Sequence, residues 1–316
     1  MSSDNKIKNK YFYSINYPTF EEQLCKMEMR YLFNTELNGK NFISDKYVNP
    51  SRSPYIKQCI RILLSANALD ELTEEIRSKN IIFNDFKVIY IKIDGGDVRY
   101  DEWLTSARLV ADAIDGEAEM HEPKVLLGLT KFNGRWIFGL YEKNNMEWHT
   151  HDNKPKTYSH SLSIRDARAI VNIAVGNNLD AKIIDPCCGV GTVVIEGLSM
   201  GLNIKGSDIN RFTVRNAKEN LLYFEMPDVI CMQDMHTIAE QYDVAIVDIP
   251  YGIFVPVTLE QQTEIIKSSR RIADKQVIIT FENMNDVFET AGLEIIDQCQ
   301  VTKGKFVRYV SVCKKK

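Results

Sequence analysis

The sequence lacks a long uncharged apolar run. No stretch approaches the roughly 18 to 20 apolar residues that a membrane-spanning helix needs, and the first ten residues, MSSDNKIKNK, are polar. A secretory signal would place an apolar segment directly behind a short basic one. We therefore expect a cytoplasmic protein with no membrane contact. Its 316 residues, 44% hydrophobic and 26% charged, suit a packed chain of one large or two to three medium domains.

The sequence also lacks paired cysteines. Its seven cysteines are an odd number at scattered positions, with no CxxC pair, which argues against a disulfide framework and a cysteine zinc site. We expect reduced thiols and no metal. His149 and His151 form the one short metal-like pattern, but they lie in a polar segment, and we interpret both as surface residues.

A basic excess is missing as well. The net charge is −4, from 39 basic and 43 acidic residues, so any nucleic-acid surface must be a local patch. An acidic stretch from Asp112 to Glu122 should face away from phosphates. Two sets of basic residues are candidates, with ordinary solvated faces as an equal alternative for each: Arg52, Lys57 and Arg61, and Lys154, Lys156, Arg165 and Arg168.

The N-terminal half mixes helix and strand patterns. YFYSINYP predicts a strand, and the next helix has Thr19 and Glu22 at capping-box spacing, with Phe20 and Leu24 on its apolar face. Residues 53–79 look like two helices, 86–94 like a strand and 100–114 like an amphipathic helix. Two further strands flank Asn133-Gly134, a strong hairpin signal. The polar stretch 144–161 reads as a linker.

The C-terminal half alternates strands and helices regularly. Ser163 should cap a helix that ends at Gly176. AKIID, NIKGSD, DVICMQD, YDVAIVD and QVIITFE predict strands, with helices between most of them. One of these helices should begin at a capping box of Thr258 and Gln261. Such βα repeats predict a parallel sheet covered by helices, which the final segment, LEIIDQCQVTKGKFVRYVSVC, should close with an antiparallel hairpin. The fold class is therefore α/β, preceded by an α+β region.

The first strand-to-helix loop of this half, DPCCGVGT (185–192), has the composition of a ligand loop. Gly189 and Gly191 let a cofactor lie against the backbone, and the helix beginning at Thr192 offers free N–H groups. A dinucleotide site would prefer a third glycine, but Val194 stands there. Asp185 is unsuited to phosphates and suits a cationic ligand.

Acidic residues also end the next two strands. Asp208 lies 23 residues after Asp185, close to the roughly 20 expected for a carboxylate that binds ribose hydroxyls, and Asp234 could accept from an adenine amino group. Glycines with acids at three strand ends favour S-adenosylmethionine over a nicotinamide cofactor. As an alternative, Asp208 or Asp234 caps a following helix.

The fourth strand ends in VDIPYG, residues 247–252, which resembles the (D/N)PPY motif of methyltransferases that modify exocyclic amino groups. The Asp248 carboxylate and the Ile249 carbonyl can accept the two N–H bonds of an aryl amine, Pro250 stiffens the turn, and Tyr251 can stack on the base. The family usually has proline at Ile249. We expect that a proline there would leave activity similar or raise it.

Together these motifs, with the SLSIRDARAIVNIA helix before them, resemble the tRNA (guanosine-10 N2) methyltransferase family, whose members contain a THUMP domain. The resemblance implies a Rossmann-type methyltransferase domain at 161–316, a linker at 149–160, a THUMP-like RNA-binding domain at 53–148 and a ferredoxin-like domain at 1–52. It implies tRNA as the partner and leaves the need for a partner subunit open. An N6-adenine DNA methyltransferase and an inactive RNA-binding protein are the alternatives.

The resemblance also assigns the site residues. The target amine would be held by Asp248, Ile249, Pro250 and Tyr251. S-adenosylmethionine would be held by Asp185, Cys187, Gly189, Gly191, Thr192, Asp208, Ile209 and Asp234. Because attack by the amine itself needs no covalent intermediate, we interpret Cys187 and Cys188 as packing residues of the loop.

Overall fold

The structure is a computed structural model that describes residues 9–93, 99–158, 161–250, 257–303 and 306–316. The chain folds into two units, one formed by residues up to 16 with 37–145, and the other by 17–36 with 146–316. No helix in the described ranges is both long and apolar enough to cross a membrane.

The first unit is built on a six-stranded sheet with two helices. The strands are β1 (Tyr11–Ile15), β2 (Asn41–Ser44), β3 (Ile56–Ala66), β4 (Phe86–Tyr90), β5 (Val125–Phe132) and β6 (Arg135–Lys143), in the order β2-β1-β3-β6-β5-β4. Helix α1 (Glu22–Phe33) belongs to the second unit, whereas α2 (Leu69–Ser78) and α3 (Tyr100–Ala111) belong to the first. The predicted hairpin is confirmed, because Asn133 and Gly134 both have positive φ, 51° and 77°.

The prediction of a helix in the first part of 53–79 is wrong, because Ile56–Ala66 is strand β3. The pairing of β3 with β6 shifts register between Ile62 and Leu64, so side chains on the two sides of the bulge do not keep a single period-2 alternation. Strand β3 also pairs with β1, so the predicted boundary between residues 52 and 53 falls within one sheet. The ferredoxin-like and THUMP-like assignments stay predictions.

The second unit contains a seven-stranded sheet in the order β12-β13-β11-β10-β7-β8-β9. Its strands are β7 (Ile183–Asp185), β8 (Ile204–Asp208), β9 (Ile230–Met232), β10 (Tyr242–Asp248), β11 (Ala273–Thr280), β12 (Leu293–Lys303) and β13 (Phe306–Lys315). Strands β7 to β11 are parallel, and β13 pairs antiparallel with both β11 and β12. The predicted parallel sheet with a closing hairpin is confirmed.

Besides α1, the second unit contains helices that alternate with its strands. They are α4 (Ile164–Val175), α5 (Thr192–Ser199), α6 (Arg211–Tyr223), α7 (Leu259–Ile272) and α8 (Asn285–Thr290). Ser163 accepts from the Asp166 amide at the start of α4, and Thr258 and Gln261 form the predicted capping box of α7. The sequence did not indicate α8, because six residues are too few to display a helical period.

Helix α1 packs within the second unit, to which residues 17–36 belong, although its neighbours in sequence, β1 and β2, belong to the first. The Asn172 amide of α4 donates to the fully buried Glu28 at 2.6 Å, and Arg30 donates to both carboxylate oxygens of Asp297 on β12 at 2.8 and 3.0 Å. The predicted capping box at Thr19 is wrong, since residues 19–21 form a separate 3-10 turn without a side-chain cap. Phe20, predicted to be core, is 40% exposed.

The predicted linker contains ordered, buried structure. Residues Glu147–Asn153 form a 3-10 helix in which Trp148 and His151 are buried. Nδ1 of His151 lies 2.6 Å from one oxygen of the fully buried Glu196, and Arg168 donates to the other oxygen at 2.7 Å. The surface interpretation of His151 is therefore wrong. In the described ranges, no three His, Cys, Asp or Glu side chains form a metal-ligand group.

The same contacts remove one of the two predicted basic patches. Arg168 and Lys154 are buried. Arg165 lies 3.4 Å from Glu21, and Lys156 lies 3.1 Å from Glu219. Two of the four residues are therefore buried and the other two, which are partly exposed, are each paired with a carboxylate, so they do not form an uncompensated basic surface.

The packing of α1 on α4 predicts that substitutions of two glutamates on α1 change the free energy of unfolding by different amounts. Glu28→Ala leaves the Asn172 amide buried without its acceptor, which should lower the free energy of unfolding by roughly 1–3 kcal/mol. Glu22→Ala removes an exposed pair with Lys26 and should change it by less than about 0.5 kcal/mol. Urea unfolding of the full chain measures both. Equal effects would contradict the described docking.

Candidate active site

The loop between β7 and α5 is shaped by its two glycines. Gly189 and Gly191 have φ of 55° and 83°, the left-handed region that glycine adopts most readily. A Cβ added at Gly189 would meet nothing within 4 Å, whereas one at Gly191 would lie 3.3 Å from Ile230. Gly189 therefore borders open space, and Gly191 allows close packing. The Gly189 amide donates to Asp208 at 3.1 Å, which fastens the loop to β8.

Two neighbouring cavities lie at the carboxyl ends of the parallel strands. The first, of about 470 Å³, is lined by Thr157, Tyr158, Ser161, Leu162, Asp185, Cys187, Cys188, Gly189, Val190, Thr192, Val193, Asp208, Asn210, Phe212, Thr213, Asn216, Asp248, Ile249, Pro250 and Val257. The second, of about 560 Å³, shares Cys187, Asp208, Pro250 and Val257 with the first and adds Ile209 and Asp234 among others.

Most of the predicted site residues therefore lie together. Gly191 lines neither cavity, and Tyr251 lies outside the described residues. Sequence reasoning missed the segment before α4, where Tyr158 and Leu162 line the first cavity. It also missed Phe212, on the helix that follows Asp208. These residues join the cavity through tertiary folding, and no motif marks them.

Three carboxylates give the first cavity an acidic floor. Asp185 is buried, and burial, together with the nearby Asp248 and Asp208, raises its pKa well above the usual range despite a hydrogen bond from the Cys187 amide. Burial also raises the pKa of Asp208, opposed by the amides of Asn210 and Gly189. Mutually repelling carboxylates at low dielectric favour a cation beside them and disfavour a phosphate.

Asp248 also lines this cavity. The residue is partly exposed, but its Oδ1 atom is buried and has no hydrogen-bond partner among the described residues. Burial raises its pKa to about 7, a shift that the Arg308 guanidinium opposes and Asp166 reinforces. Arg308, on β13, lies 3.8 Å from Asp166 and over the Phe281 ring. No motif marks Arg308 or Asp166 as a site residue, because α4 and β13 come together only in the folded unit.

Asp208 and Asp234, the two other acids at strand ends, differ in whether they cap the following helix. Asp208 does not cap the next helix, since the Asn210 side chain accepts from the Phe212 and Thr213 amides at the start of α6. Asp234 does cap a short 3-10 helix, with its Oδ1 2.9 Å from the His236 amide. Asp234 also lines the second cavity, so capping and ligand contact are compatible there.

The thiols of the loop are held as neutral groups. Burial, together with the neighbouring carboxylates, raises the pKa of Cys187 and Cys188 well above the usual range. Cys187 Sγ lies 3.8 Å from the Met235 sulfur. A thiol that stays protonated is a poor nucleophile, which is consistent with a packing role.

Ile249 is a core residue as well as a motif position. Its side chain is 1% exposed within the apolar cluster beneath β10 and β11, and its amide donates to the Ile279 carbonyl at 3.1 Å. Proline cannot make this hydrogen bond. The Ile249 amide thus has a hydrogen-bond partner in the neighbouring strand, which the sequence motif does not reveal.

The fold and the site together define an α/β protein with a Rossmann-type sheet and cavities at the carboxyl ends of its parallel strands. Residues 151–290 match the model of the UPF0020 family, "RMKL-like, methyltransferase domain". Two curated proteins named tRNA (guanine(10)-N2)-dimethyltransferase are similar to the chain. The one from Methanothermobacter thermautotrophicus is 28% identical over 197 residues, covering 60% of this chain and 58% of that protein. The one from Pyrococcus abyssi is 29% identical over 157 residues, covering 46% and 47%.

The chain thus spans about half the length of the curated relatives it matches, and the resemblance predicted from the motifs is confirmed. Among solved structures, TrmN from Thermus thermophilus is 14% identical with a TM-score of 0.48, covering 97% of this chain and 100% of that one. A predicted N6-adenine-specific DNA methylase from Listeria monocytogenes is 14% identical with a TM-score of 0.46, covering 96% of both chains.

The raised pKa of Asp248 predicts a pH-dependent cost to stability. Because the folded-state pKa of about 7 exceeds the ordinary value of 3.8, the folded state binds more protons and this residue lowers stability as pH rises from about 4 to about 7. Asp248→Asn should therefore stabilise the ligand-free protein at pH 8 by roughly 1–4 kcal/mol and have little effect at pH 4. Thermal unfolding across this range measures the difference. The exposed Asp180→Asn is the control, and a pH-independent effect would contradict the assignment.

The structure predicts a stability cost for Ile249→Pro, whose effect on activity stays a prediction. Loss of the hydrogen bond to Ile279 and of a buried side chain should lower the free energy of unfolding by about 2 kcal/mol or more. Ile249→Val keeps the amide and should cost about 1 kcal/mol. Denaturant unfolding of the two variants separates the effects. A proline variant as stable as the valine variant would show that the loop does not depend on this amide.

Proposed function

We propose that the protein transfers a methyl group from S-adenosylmethionine to the exocyclic N2 amine of a guanosine in tRNA, at position 10. The observation that carries the proposal concerns Asp248, which lines the same cavity as Asp185 and Asp208 and whose buried Oδ1 atom has no hydrogen-bond partner among the described residues. The names of the two curated relatives support the choice of substrate and position.

The residues of the two cavities fit this cofactor. S-adenosylmethionine has a sulfonium and an ammonium group, and the acidic floor of Asp185 and Asp208 would offset both positive charges. The open space over Gly189 leaves room for the cofactor against the backbone, and the buried Thr192 hydroxyl, without a partner among the described residues, is a further polar contact. Ile209 and Asp234 in the second cavity would hold the adenosine part.

Bound S-adenosylmethionine supplies an electrophilic methyl group, and the protein must supply a correctly aimed nitrogen. The lone pair of an aryl amine is delocalised into its ring, so positioning contributes most of the rate. The Asp248 carboxylate and the Ile249 carbonyl would accept the two N–H bonds and point the nitrogen at the methyl group. Pro250 shapes the turn, and its carbonyl accepts from the Gln262 side chain at 3.2 Å. Stacking by Tyr251 stays a prediction.

Asp248 would also take the proton that the methylated nitrogen must lose. A carboxylate whose pKa is about 7 is ionised in a large fraction at neutral pH and is a stronger base than an ordinary aspartate. Arg308 opposes the effect of burial on this pKa and so favours the ionised form that both roles require. We assign tRNA binding to the first unit. A cytoplasmic location stays a prediction of the sequence.

The proposal is tested by methyl transfer from labelled S-adenosylmethionine to unmodified tRNA, followed by digestion to nucleosides. Wild-type protein should label N2-methylguanosine or its dimethyl form, and a transcript with adenosine at position 10 should stay unlabelled. Asp248→Ala should bind S-adenosylmethionine with unchanged affinity and transfer methyl groups orders of magnitude more slowly, whereas the exposed Asp180→Ala should behave as wild type.

Two outcomes would contradict the proposal. Label in N6-methyladenine of DNA, and not in tRNA, would identify the adenine methyltransferase instead. Cofactor binding without transfer to any RNA or DNA would identify an inactive binding protein. A near-normal rate for Asp248→Ala would remove its assigned acceptor role without changing the substrate.

A further inference from the structure

The first unit contains a small polar cavity at one end of its sheet. Its volume is about 90 Å³, and its lining is Ser14, Ile15, Asn16, Lys40, Asn41, Lys57, Gln58 and Lys92. Three of these eight residues are lysines and none is acidic. In a chain whose net charge is −4, this is a local concentration of positive charge. Lys57 was among the residues of the first predicted basic patch.

The floor of the cavity is a polar row across three neighbouring strands. Ser14 of β1 lies opposite Asn41 of β2 and opposite Gln58 of β3, and residues that are directly opposite in a sheet point to the same face. The Asn41 Oδ1 atom is buried and has no partner among the described residues. Rotating that carboxamide by 180° would therefore break no hydrogen bond of the oxygen. It would place the NH₂ group, a donor, where the oxygen now lies.

Lys92 reaches the cavity because the chain after β4 crosses back over the sheet. The buried Ile91 packs against Phe12 and Ile60 of the strands beneath it. The Lys92 ammonium then lies 5.2 Å from the centre of the Trp103 ring, a contact that orients a cation without neutralising it. Within the described ranges, neither Lys57 nor Lys92 forms an ion pair with a carboxylate.

We propose that this cavity, which we call the lysine pocket, binds one phosphate group of the RNA substrate. A cavity of about 90 Å³ has room for a phosphate group. Ammonium groups with amide and hydroxyl donors are the partners that RNA phosphates require. This inference rests on the proposed function for the nature of the ligand.

The test compares two sets of three lysines in the same unit. Lys40→Gln, Lys57→Gln and Lys92→Gln remove the pocket charges singly and together. The control set is Lys79→Gln, Lys87→Gln and Lys124→Gln, which changes the total charge equally. Each control lysine contacts a protein oxygen outside the pocket, in Glu75, Met120 and Asp85 respectively. Lys40, by contrast, contacts the Asn16 side-chain oxygen within the pocket, at 3.4 Å. Unfolding and S-adenosylmethionine binding of both triple variants check that the fold is intact.

Binding of unmodified tRNA, measured by fluorescence anisotropy over a range of salt concentrations, gives the decisive quantity. The triple variant should reduce the slope of log affinity against log salt by about one, as expected for one phosphate, and each single substitution should give a part of that change. The triple variant should also bind at least about tenfold more weakly at low salt. The KM for tRNA should rise while kcat at saturating tRNA stays close to wild type. The control set should change the slope much less.

The source of the phosphate is resolved by tRNA transcripts that carry either a 5′-monophosphate or a 5′-hydroxyl. If the wild type binds the 5′-monophosphate transcript more tightly and the pocket triple variant does not, the lysine pocket binds the terminal phosphate. Equal weakening with both transcripts assigns a backbone phosphate. Equal slopes for the pocket and control variants would overturn the pocket assignment even if the wild type methylates tRNA. A wild type that binds tRNA without methylating it would contradict the proposed function and leave the slope comparison valid.

Discussion

The site depends on the electrostatic cost of holding carboxylates where water is scarce. Asp185, Asp208 and Asp248 each end a parallel strand, and parallel strands end at one edge of the sheet. Topology alone therefore brings the three acids together. Burial raises the pKa of each, and repulsion from Asp248 and Asp208 adds to this effect at Asp185. A cationic ligand relieves this cost by its own charge. The protein without ligand carries that cost as part of having a binding site.

Other buried acids of the same unit show what an ordinary structural solution looks like. Glu196 is fully buried, but Arg168 and His151 each contact one of its oxygens. Glu28 is fully buried and accepts from Asn172. These acids join α1, α4, α5 and the segment before α4 into one body. Because a buried acid without a partner weakens a fold, the Asp248 oxygen that has no hydrogen-bond partner among the described residues is a stronger sign of a ligand site than burial is.

What the sequence could predict was local. The glycine turn at Gly189, the caps at Ser163 and Thr258, and the Asn133-Gly134 hairpin each express their conformation within a few residues, and the structure contains all of them. The errors concern features that arise only from distant contacts. Strand β3 is defined by its neighbours β1 and β6, and His151 by Glu196. Arg308 approaches Asp248 because α4 and β13 meet in the folded unit.

The largest such feature is the division of the chain itself. Residues 17–36 and 146–316 form one unit, so the first unit's segment 37–145 is inserted between them. The Arg30–Asp297 pair joins residues 267 positions apart, and its formation closes a loop that contains the whole insertion. A cut at the polar stretch before α4 would therefore remove α1 and expose the surface of α4 that it covers. The seven-stranded sheet and the segment beginning at Tyr17 must be treated as one folding unit, although a composition-based boundary places them in different domains.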